Sequence, residues 1–156
     1  MTALYVVDAT SSGITPAAYA TGDQVGAVIS WDLTNIVQPG ARFGIRQIVV
    51  IDASDTLAAF DLAFYDRSVT VATDNAAAST SDADELFCQG VINIVAANIT
   101  NIGPNKVATM IPGNGGYHCA QIQAAGDNKL YGIMIARAAI TPSSVTDFRF
   151  RLYIEV

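Results

Sequence analysis

The C-terminal part of the sequence contains the run Asp147-Phe148-Arg149-Phe150-Arg151-Leu152-Tyr153-Ile154-Glu155. Apolar residues at 148, 150, 152 and 154 alternate with charged residues at 147, 149, 151 and 155. This two-residue period is typical of a strand with one buried face and one face in water. Because a sheet that is wet on one side is usually antiparallel, the run favours an all-β antiparallel fold over an α/β fold. An ordered last strand also predicts that no flexible tail remains for a targeting signal.

Strand candidates follow one another along the rest of the sequence. They are short apolar or alternating runs between clusters of Gly, Pro, Asn and Asp, and helical periodicity is nowhere sustained for about twelve residues. The predicted strands are 4–8, 24–37, 46–52, 57–65, 69–72, 86–95, 107–111, 117–123, 129–137 and 147–155. We therefore predict an antiparallel, jelly-roll-like β-sandwich of roughly ten short strands. At most one or two short helices are expected; the better candidate is near 81–87, where Ser81 suits an N-cap.

The predicted organisation is an arm followed by one domain. Residues 1–22 form an N-terminal arm with the first short strand, and residues 23–156 form a single β-sandwich domain. The pattern leaves open whether the arm packs on its own domain or reaches a neighbouring subunit. The nearly continuous apolar run at 46–52 predicts a strand covered on both faces. Residues 73–84, rich in Ala, Ser, Thr and Asp, are expected to form an exposed loop that projects from the domain.

The composition indicates a subunit of an assembly. Of the 156 residues, 51% are hydrophobic and only 14% are charged, against roughly a quarter charged in ordinary soluble domains. A surface with so little charge suits subunit packing, which predicts a stable homo-oligomer. The net charge of −6 and the pI near 4.4, with no basic run, argue against nucleic acid as a partner.

Targeting and membrane signals are not visible in the sequence. Residues 1–8 lack a basic region and have too short an apolar run for a signal peptide. No run approaches the roughly eighteen apolar residues of a membrane helix, so no membrane partner is expected. We therefore expect folding in a cytosol. In that compartment Cys88 and Cys119 are expected to be buried as small hydrophobic residues; a disulfide between them would require Cα atoms within about 7 Å.

A catalytic set cannot be assembled from the sequence. His118 is the only histidine, and on a strand its neighbour Cys119 points to the opposite face, where His118 cannot activate it. One histidine and two distant cysteines do not supply the four ligands of a structural zinc site. Residues 113–116, Gly-Asn-Gly-Gly, lack the features of a phosphate loop and predict a hairpin turn. We predict a non-enzymatic protein with no catalytic, cofactor-binding or metal-binding residue.

Two groups of residues have both a possible binding function and a structural interpretation. The acidic groups that carry oxygen ligands of the kind Ca²⁺ accepts are Asp82 with Asp84 and Glu85, and Asp52 with Asp55. Neither group has an EF-hand pattern, so a solvated acidic loop is the preferred interpretation. Trp31 and the six tyrosines could form a sugar-stacking face, but aromatic residues on strands more often fill a core or a subunit contact.

Two segments resemble small virion proteins of tailed bacteriophages. Residues 14–26, Ile-Thr-Pro-Ala-Ala-Tyr-Ala-Thr-Gly-Asp-Gln-Val-Gly, are similar to the lead-in to the first long strand of those proteins. That similarity is carried by Tyr19, by Gly22 with Asp23, and by Val25 with Gly26. The second segment runs from residues 130–137 through Thr-Pro at 141–142 to 147–152 and is similar to their closing strand pair.

The resemblance implies a head decoration, or cement, protein that binds the outer surface of a phage capsid. It implies the major capsid protein and further copies of this chain as partners, commonly in a trimer at points where shell subunits meet. It also implies a virion location after synthesis in the bacterial host cytoplasm, and it requires no cofactor. A neck or tail structural protein is the alternative within the resemblance. A carbohydrate-binding β-sandwich module is the alternative outside it.

The first of these segments also has a physical interpretation of its own. Gly22 and Asp23 predict a tight turn, since both residue types suit chain reversal. Tyr19 is expected to anchor the incoming arm on the sandwich. A glycine at position 26, just inside a strand, predicts that a neighbouring segment approaches the backbone closely there.

Overall fold

The computed structural model describes residues 3–113, 127–145 and 147–156. This part of the chain contains nine strands in two antiparallel sheets, a four-residue α-helix and a 3₁₀ turn, Ala96–Asn98. The strands are β1 (Leu4–Thr10), β2 (Gln24–Asp32), β3 (Gly44–Asp52), β4 (Phe60–Tyr65), β5 (Cys88–Ile94), β6 (Ile99–Asn101), β7 (Lys106–Met110), β8 (Lys129–Ala136) and β9 (Phe148–Glu155). The helix is α1 (Asp82–Glu85). The predicted all-β, antiparallel, sandwich-like fold is confirmed.

The two sheets combine strands that are distant in sequence. The five-stranded sheet has the order β1-β9-β3-β7-β6, and the four-stranded sheet has the order β2-β8-β4-β5. The last strand, β9, lies between β1 and β3 and pairs antiparallel with both along its whole length. The N-terminal arm therefore contributes β1 to the sandwich of its own chain.

The core lies between the sheets and is centred on Trp31 of β2. Its ring contacts those of Phe64 and Phe150, with centroids 5.6 and 6.2 Å apart, and all three side chains are buried. Its indole N–H donates to the carbonyl of Phe150 at 3.4 Å, which links the two sheets. Gly132 of β8 leaves the space that the indole fills, because a Cβ there would lie 2.9 Å from the Trp31 ring. Full burial of such a side chain contributes about 1.5–3 kcal/mol.

Strand β9 has the one-sided burial that its alternation predicts. The inward side chains of Phe148, Phe150, Leu152 and Ile154 are at most 1% exposed. The residues between them, from Arg149 to Glu155, are exposed or half-buried. The alternating pattern thus places one complete face of β9 in the core, as expected.

The prediction that strand 46–52 is covered on both faces is wrong. In β3 the inward Ile48 and Val50 are buried, but Val49 and Ile51 on the other face are only half-buried. The strand covered on both faces is β4, in which all six residues are buried. A continuous apolar run predicts a strand, but the second face of that strand is covered only if another segment of the chain folds over it.

The second face of β4 is covered by the segment that follows it. A small cluster of Ala63, Tyr65, Val69, Tyr131 and Ile133 lies on the outer side of the four-stranded sheet. The prediction that residues 73–84 project is wrong for their first part, because this part runs along the β2 edge. The backbone hydrogen bonds that hold it there are Asn75 to Gln24 at 3.0 Å, Gln24 to Ala76 at 2.9 Å and Ala78 to Gly22 at 2.8 Å.

Other elements differ in extent from the predicted ones. Helix α1 begins where predicted, with the Ser81 hydroxyl accepting from the Asp84 N–H at 3.1 Å. The predicted strand 69–72 is reduced to a bridge between Val71 and Thr80. Strand β2 ends at Asp32, whose carboxylate accepts from the Thr34 N–H at 2.9 Å and turns the chain. Strand β6 was not predicted, and the predicted strand 117–123 lies outside the described residues.

The glycine at position 26 confirms the predicted close approach. Its φ is +76°, and a Cβ there would lie 2.8 Å from the carbonyl oxygen of Ser12. That carbonyl accepts from the N–H of Ala27 at 2.8 Å. Only glycine combines this left-handed conformation with the space that the passing arm requires.

Candidate interaction surface

The outer side of the five-stranded sheet is the main candidate for an interaction surface. In the described part of the chain its apolar side chains are exposed or half-buried, and we call it the open face. Its apolar members are Leu4, Val6, Val49, Ile51, Val107 and Tyr153. Leu4 is 62% exposed and Val6 is 51% exposed. Exposed apolar residues grouped on one flat sheet are typical of a protein contact surface.

Ion pairs cross the same open face. The Arg151 guanidinium donates to both carboxylate oxygens of Asp8, at 2.7 and 3.0 Å, and Arg46 pairs with Glu155. The hydrogen bond from Arg151 holds the pKa of Asp8 below its ordinary value, and the nearby charges of Arg151 and Arg149 act in the same direction. The open face is therefore a mixture of apolar side chains and paired charges. Arginine and tyrosine among apolar residues are favoured in protein interfaces.

Tyr19 anchors the arm to the four-stranded sheet through Asp74. The Tyr19 hydroxyl donates to the Asp74 carboxylate at 2.7 Å, and the N–H groups of Gly26 and Thr15 donate to it at 2.6 and 2.8 Å. Burial raises the pKa of Asp74, but these hydrogen bonds outweigh it and hold that pKa below its ordinary value. Burial, together with the bond to Asp74, raises the pKa of Tyr19. The predicted role of Tyr19 is confirmed, whereas no sequence signal singled out Asp74.

Two other buried aspartates fasten the loops at one end of the sandwich. Asp52 accepts from the N–H groups of Thr56 and Leu57 at 2.5 and 2.6 Å, and Asp147 accepts from that of Ser144 at 2.8 Å. The Ser54 hydroxyl lies 2.9 Å from Asp52 and 2.8 Å from Asp147, so it bridges the two carboxylates. Each carboxylate is used to hold backbone in place. This arrangement orders the loops at that end of the sandwich.

Most of the acidic residues considered for calcium binding form hydrogen bonds or an ion pair within the protein. Asp84 accepts from the Thr70 N–H at 3.0 Å and Glu85 accepts from the Thr80 hydroxyl at 3.2 Å. These bonds hold the two ends of residues 70–80, which we call the covering segment. Asp82 is exposed on α1, and the predicted partner of Asp52, Asp55, pairs with Lys106 at 3.6 Å. Within the described residues no group of three or more His, Cys, Asp or Glu side chains is placed to hold a metal ion.

The aromatic residues do not line up on one exposed surface in the described part of the chain. Trp31 and Tyr19 are at most 1% exposed, and Tyr65 and Tyr131 are also buried. Tyr5 is 37% exposed at the rim of the inner face, and Tyr153 lies on the open face. A buried indole cannot stack on a sugar ring. Tyr117, which belonged to the predicted sugar-stacking set, lies outside the described residues.

Of the residues considered for catalysis or metal binding, some lie outside the described part of the chain and Cys88 lies within it. His118, Cys119 and the greater part of the predicted 113–116 turn lie outside the described residues. Cys88 is a free, half-buried thiol on β5. It lines a shallow cleft of about 320 Å³ on the outer side of the four-stranded sheet. The other lining residues include Ala63, Tyr65 and Glu85, and burial raises the pKa of Tyr65.

No protein-family model matches the sequence, and no characterised protein matches it significantly. Among the described residues, none of the helical segments has the length and apolar character needed to cross a membrane. Function is therefore inferred from the resemblance of residues 14–26 and 130–152 to small virion proteins and from the open face.

Proposed function

We propose that this chain is a structural, non-enzymatic virion protein that binds the outer surface of a tailed-phage capsid and stabilises the shell. The observation that carries the proposal is the resemblance of residues 14–26 and 130–152 to small virion proteins. The major capsid protein is the proposed partner, together with further copies of this chain. The open face, with Val49 and Ile51 near its centre, is the proposed capsid-binding surface.

The physical properties of the sandwich support this proposal. A decoration protein needs rigidity and an apolar contact surface, and it needs no catalytic group. Rigidity comes from the carboxylate bonds of Asp52, Asp74 and Asp147, which fasten loops and arm to the sheets. A protein that binds only the assembled shell shifts the assembly equilibrium toward the shell. Binding of several linked copies would strengthen that effect.

The copy number in purified phage particles tests the proposed location. Quantitative mass spectrometry of this chain relative to the major shell protein is expected to give a ratio near one or near one-third. A handful of copies per particle would assign the protein to the neck or tail instead. Absence from the particles would overturn the proposal.

The binding surface is tested with stripped capsids and purified variants. Val49→Asp places a carboxylate on the open face beside Arg151, its neighbour on β9, and is expected to abolish capsid binding while preserving the fold. Val91→Asp is the matched control, because Val91 lies on the outer side of the other sheet and is 46% exposed. Thermal unfolding of both variants verifies folding. Equal capsid binding by the two variants would contradict the assignment of the open face.

A further inference from the structure

In the described part of the chain, strand β1 has no partner strand at one edge of the five-stranded sheet. Ala3 and Val156 exchange two backbone hydrogen bonds, each 3.2 Å long. Because bonded and non-bonded pairs alternate along an antiparallel ladder, the odd-numbered residues of β1 bond to β9 and the even-numbered residues point their N–H and C=O groups away. The outward groups belong to Leu4, Val6, Asp8 and Thr10. No strand of the described chain pairs with them.

The other three edges have features that disfavour strand addition. Residues 75–78 pair with the start of β2 and its preceding turn, and β2 is irregular between Val25 and Ile29. Strand β5 is irregular opposite Phe64 and Tyr65, and β6 is only three residues long. Strand β1 has seven residues, a regular register with β9 and no lysine or proline. Natural proteins protect exposed edges with charges, bulges, prolines or short strands. The one charged residue of β1, Asp8, is already paired with Arg151 of the neighbouring strand, so the edge is weakly protected and is expected to have a partner.

We propose that the β1 edge pairs with the β1 edge of a second copy of this chain. The two strands are antiparallel, Val6 faces Val6 of the second copy across a two-fold axis, and the two five-stranded sheets become one continuous sheet. Leu4 then lies opposite Asp8 of the second copy. The outward N–H and C=O groups of these residues form the new hydrogen bonds.

The outer side of this register gives complementary rows of side chains. Because Val6 lies beside Tyr153 on β9, the central row reads Tyr153, Val6, Val6, Tyr153 across the two copies and is apolar throughout. Leu4 lies beside Glu155 and Asp8 lies beside Arg151, so each flanking row reads Glu155, Leu4, Asp8, Arg151. Each carboxylate of Asp8 keeps its guanidinium partner. Cross-strand pairs of this kind stabilise a sheet.

The inner side of the same register is apolar as well. Tyr5 lies opposite Val7 of the second copy, and Ala3 lies opposite Ala9. Tyr5 is 37% exposed in the single chain although its neighbours on the inner face are buried. Pairing therefore covers the aromatic ring that the sandwich leaves exposed at this edge. Both sides of the strand gain apolar contact from one register.

Charge selects this register over the one centred on Asp8. With Val6 on the axis, the two Asp8 residues are four positions apart along the strand, about 14 Å at the rise of a β-strand. That separation exceeds the Debye length of about 8 Å at physiological salt. Centring the contact on Asp8 would instead place the two carboxylates opposite each other, where like charges destabilise the pair.

The contact is independent of the proposed function, because it is tested on the purified chain without phage particles. It also differs from the trimer that the resemblance implies. Sedimentation velocity of the full chain at tens of micromolar is expected to give a dimer. A monomer or a trimer under these conditions would overturn the proposal.

Matched lysine variants locate the contact. Val6→Lys places two ammonium groups opposite each other on the axis and is expected to raise the dimer dissociation constant at least about tenfold. Val91→Lys is the control, because Val91 lies on β5, the other seven-residue edge strand, and has a similar exposure. It is expected to leave the dimer unchanged. A dimer that survives Val6→Lys, or that Val91→Lys weakens equally, would overturn the proposal.

Cysteine crosslinking tests the register in a Cys88→Ser, Cys119→Ser background. Val6→Cys is expected to oxidise to a covalent dimer, because Cα atoms of a hydrogen-bonded antiparallel pair lie about 5.5 Å apart, within disulfide range. Leu4→Cys places its two thiols about 14 Å apart along the strands and is expected to remain unlinked. Equal crosslinking of the two variants would show that Val6 is not on the axis.

Discussion

The two sheets of the sandwich differ in how far their outer sides are covered by other residues of the chain. The four-stranded sheet is covered on its inner side and partly covered on its outer side, where every residue of β4 is buried. Within the described residues the five-stranded sheet is covered only on its inner side, and β9 alternates between buried and exposed or half-buried residues. The difference makes the outer side of the five-stranded sheet the better candidate for a binding surface.

The covering segment explains why one outer side is partly covered. Residues 75–78 pair with the start of β2 and its preceding turn. They are also attached through the Asp74 carboxylate, which accepts hydrogen bonds from Gly26, Thr15 and Tyr19. The open face has no such attachment in the described part of the chain. Two ion pairs form within the sheet there, Asp8 with Arg151 and Arg46 with Glu155. One outer side is therefore structural, and the other is the better candidate for binding.

The largest expected effect concerns the five-stranded sheet, in which only one side of β9 is buried. Phe150→Ala removes a fully buried ring in contact with Trp31 and is expected to lower the free energy of unfolding by about 3–5 kcal/mol. Tyr153→Ala, on the opposite side of the same strand, is the control and is expected to cost less than about 1 kcal/mol. Urea denaturation measures both values. Comparable losses would mean that the two sides of β9 are equally buried.

The second effect tests the attachment of the covering segment. Asp74→Ala leaves the Gly26 N–H without its acceptor and reduces the acceptors of the Tyr19 hydroxyl to the Thr15 carbonyl at 3.1 Å, so it is expected to cost about 2–3 kcal/mol. Asp82→Ala, on exposed α1, is the control and is expected to change the free energy of unfolding by no more than about 0.5 kcal/mol. A loss as small as that of the control would show that the attachment by Asp74 does not contribute to the stability of the sheet.

The pH dependence of that loss follows from the lowered pKa of Asp74. A carboxylate with a folded-state pKa below its unfolded value contributes stability that is complete above the unfolded pKa, about 3.9, and is lost as the pH falls through the folded pKa. The difference between wild type and Asp74→Ala is therefore expected to be constant near neutral pH and to shrink below about pH 4. Denaturation curves at several pH values measure it. A difference that grows on acidification would assign the loss to another group.

The third effect compares two glycines, one in each sheet. Gly132→Ala would place a methyl group 2.9 Å from the Trp31 ring and is expected to cost about 1–3 kcal/mol through overpacking. Gly44→Ala adds a methyl group where no atom lies within 4 Å and is expected to be neutral or slightly stabilising. Thermal unfolding measures both changes. Equal behaviour of the two variants would remove the packing argument for Gly132.

The parts of the fold that were predictable depend on local signals. The alternation in β9, the Ser81 cap of α1 and the glycine at position 26 are each encoded within a few residues, and each is confirmed. The single aspartate that attaches the covering segment was not predicted. Its bonds to Gly26 and Thr15 join residues 48 and 59 positions apart, and no local pattern encodes such a contact.

The candidate surface was less predictable than the fold for the same reason. The run Leu-Tyr-Val-Val at residues 4–7 has the composition of a buried strand, yet Leu4 and Val6 are exposed because β1 is at the edge of the sheet. The order of strands in a sheet is a property of the whole chain. That the low charge content reflects a surface suited to subunit packing stays a prediction, and composition cannot indicate which strand would provide that surface.

The smallest effect tests whether the charges of the open face stabilise the fold. Asp8→Asn removes the carboxylate that pairs with Arg151, but both side chains are well exposed, with 59% and 40% of their areas accessible. Exposed ion pairs contribute little, so the Tm is expected to fall by about 2 °C or less at low salt. At about 1 M salt, where the Debye length is about 3 Å, the difference from wild type is expected to vanish. Calorimetry at the two salt concentrations measures both values. A large drop that is independent of salt would place Asp8 among the structural aspartates, and the open face would then resemble the covered one in how it uses its charges.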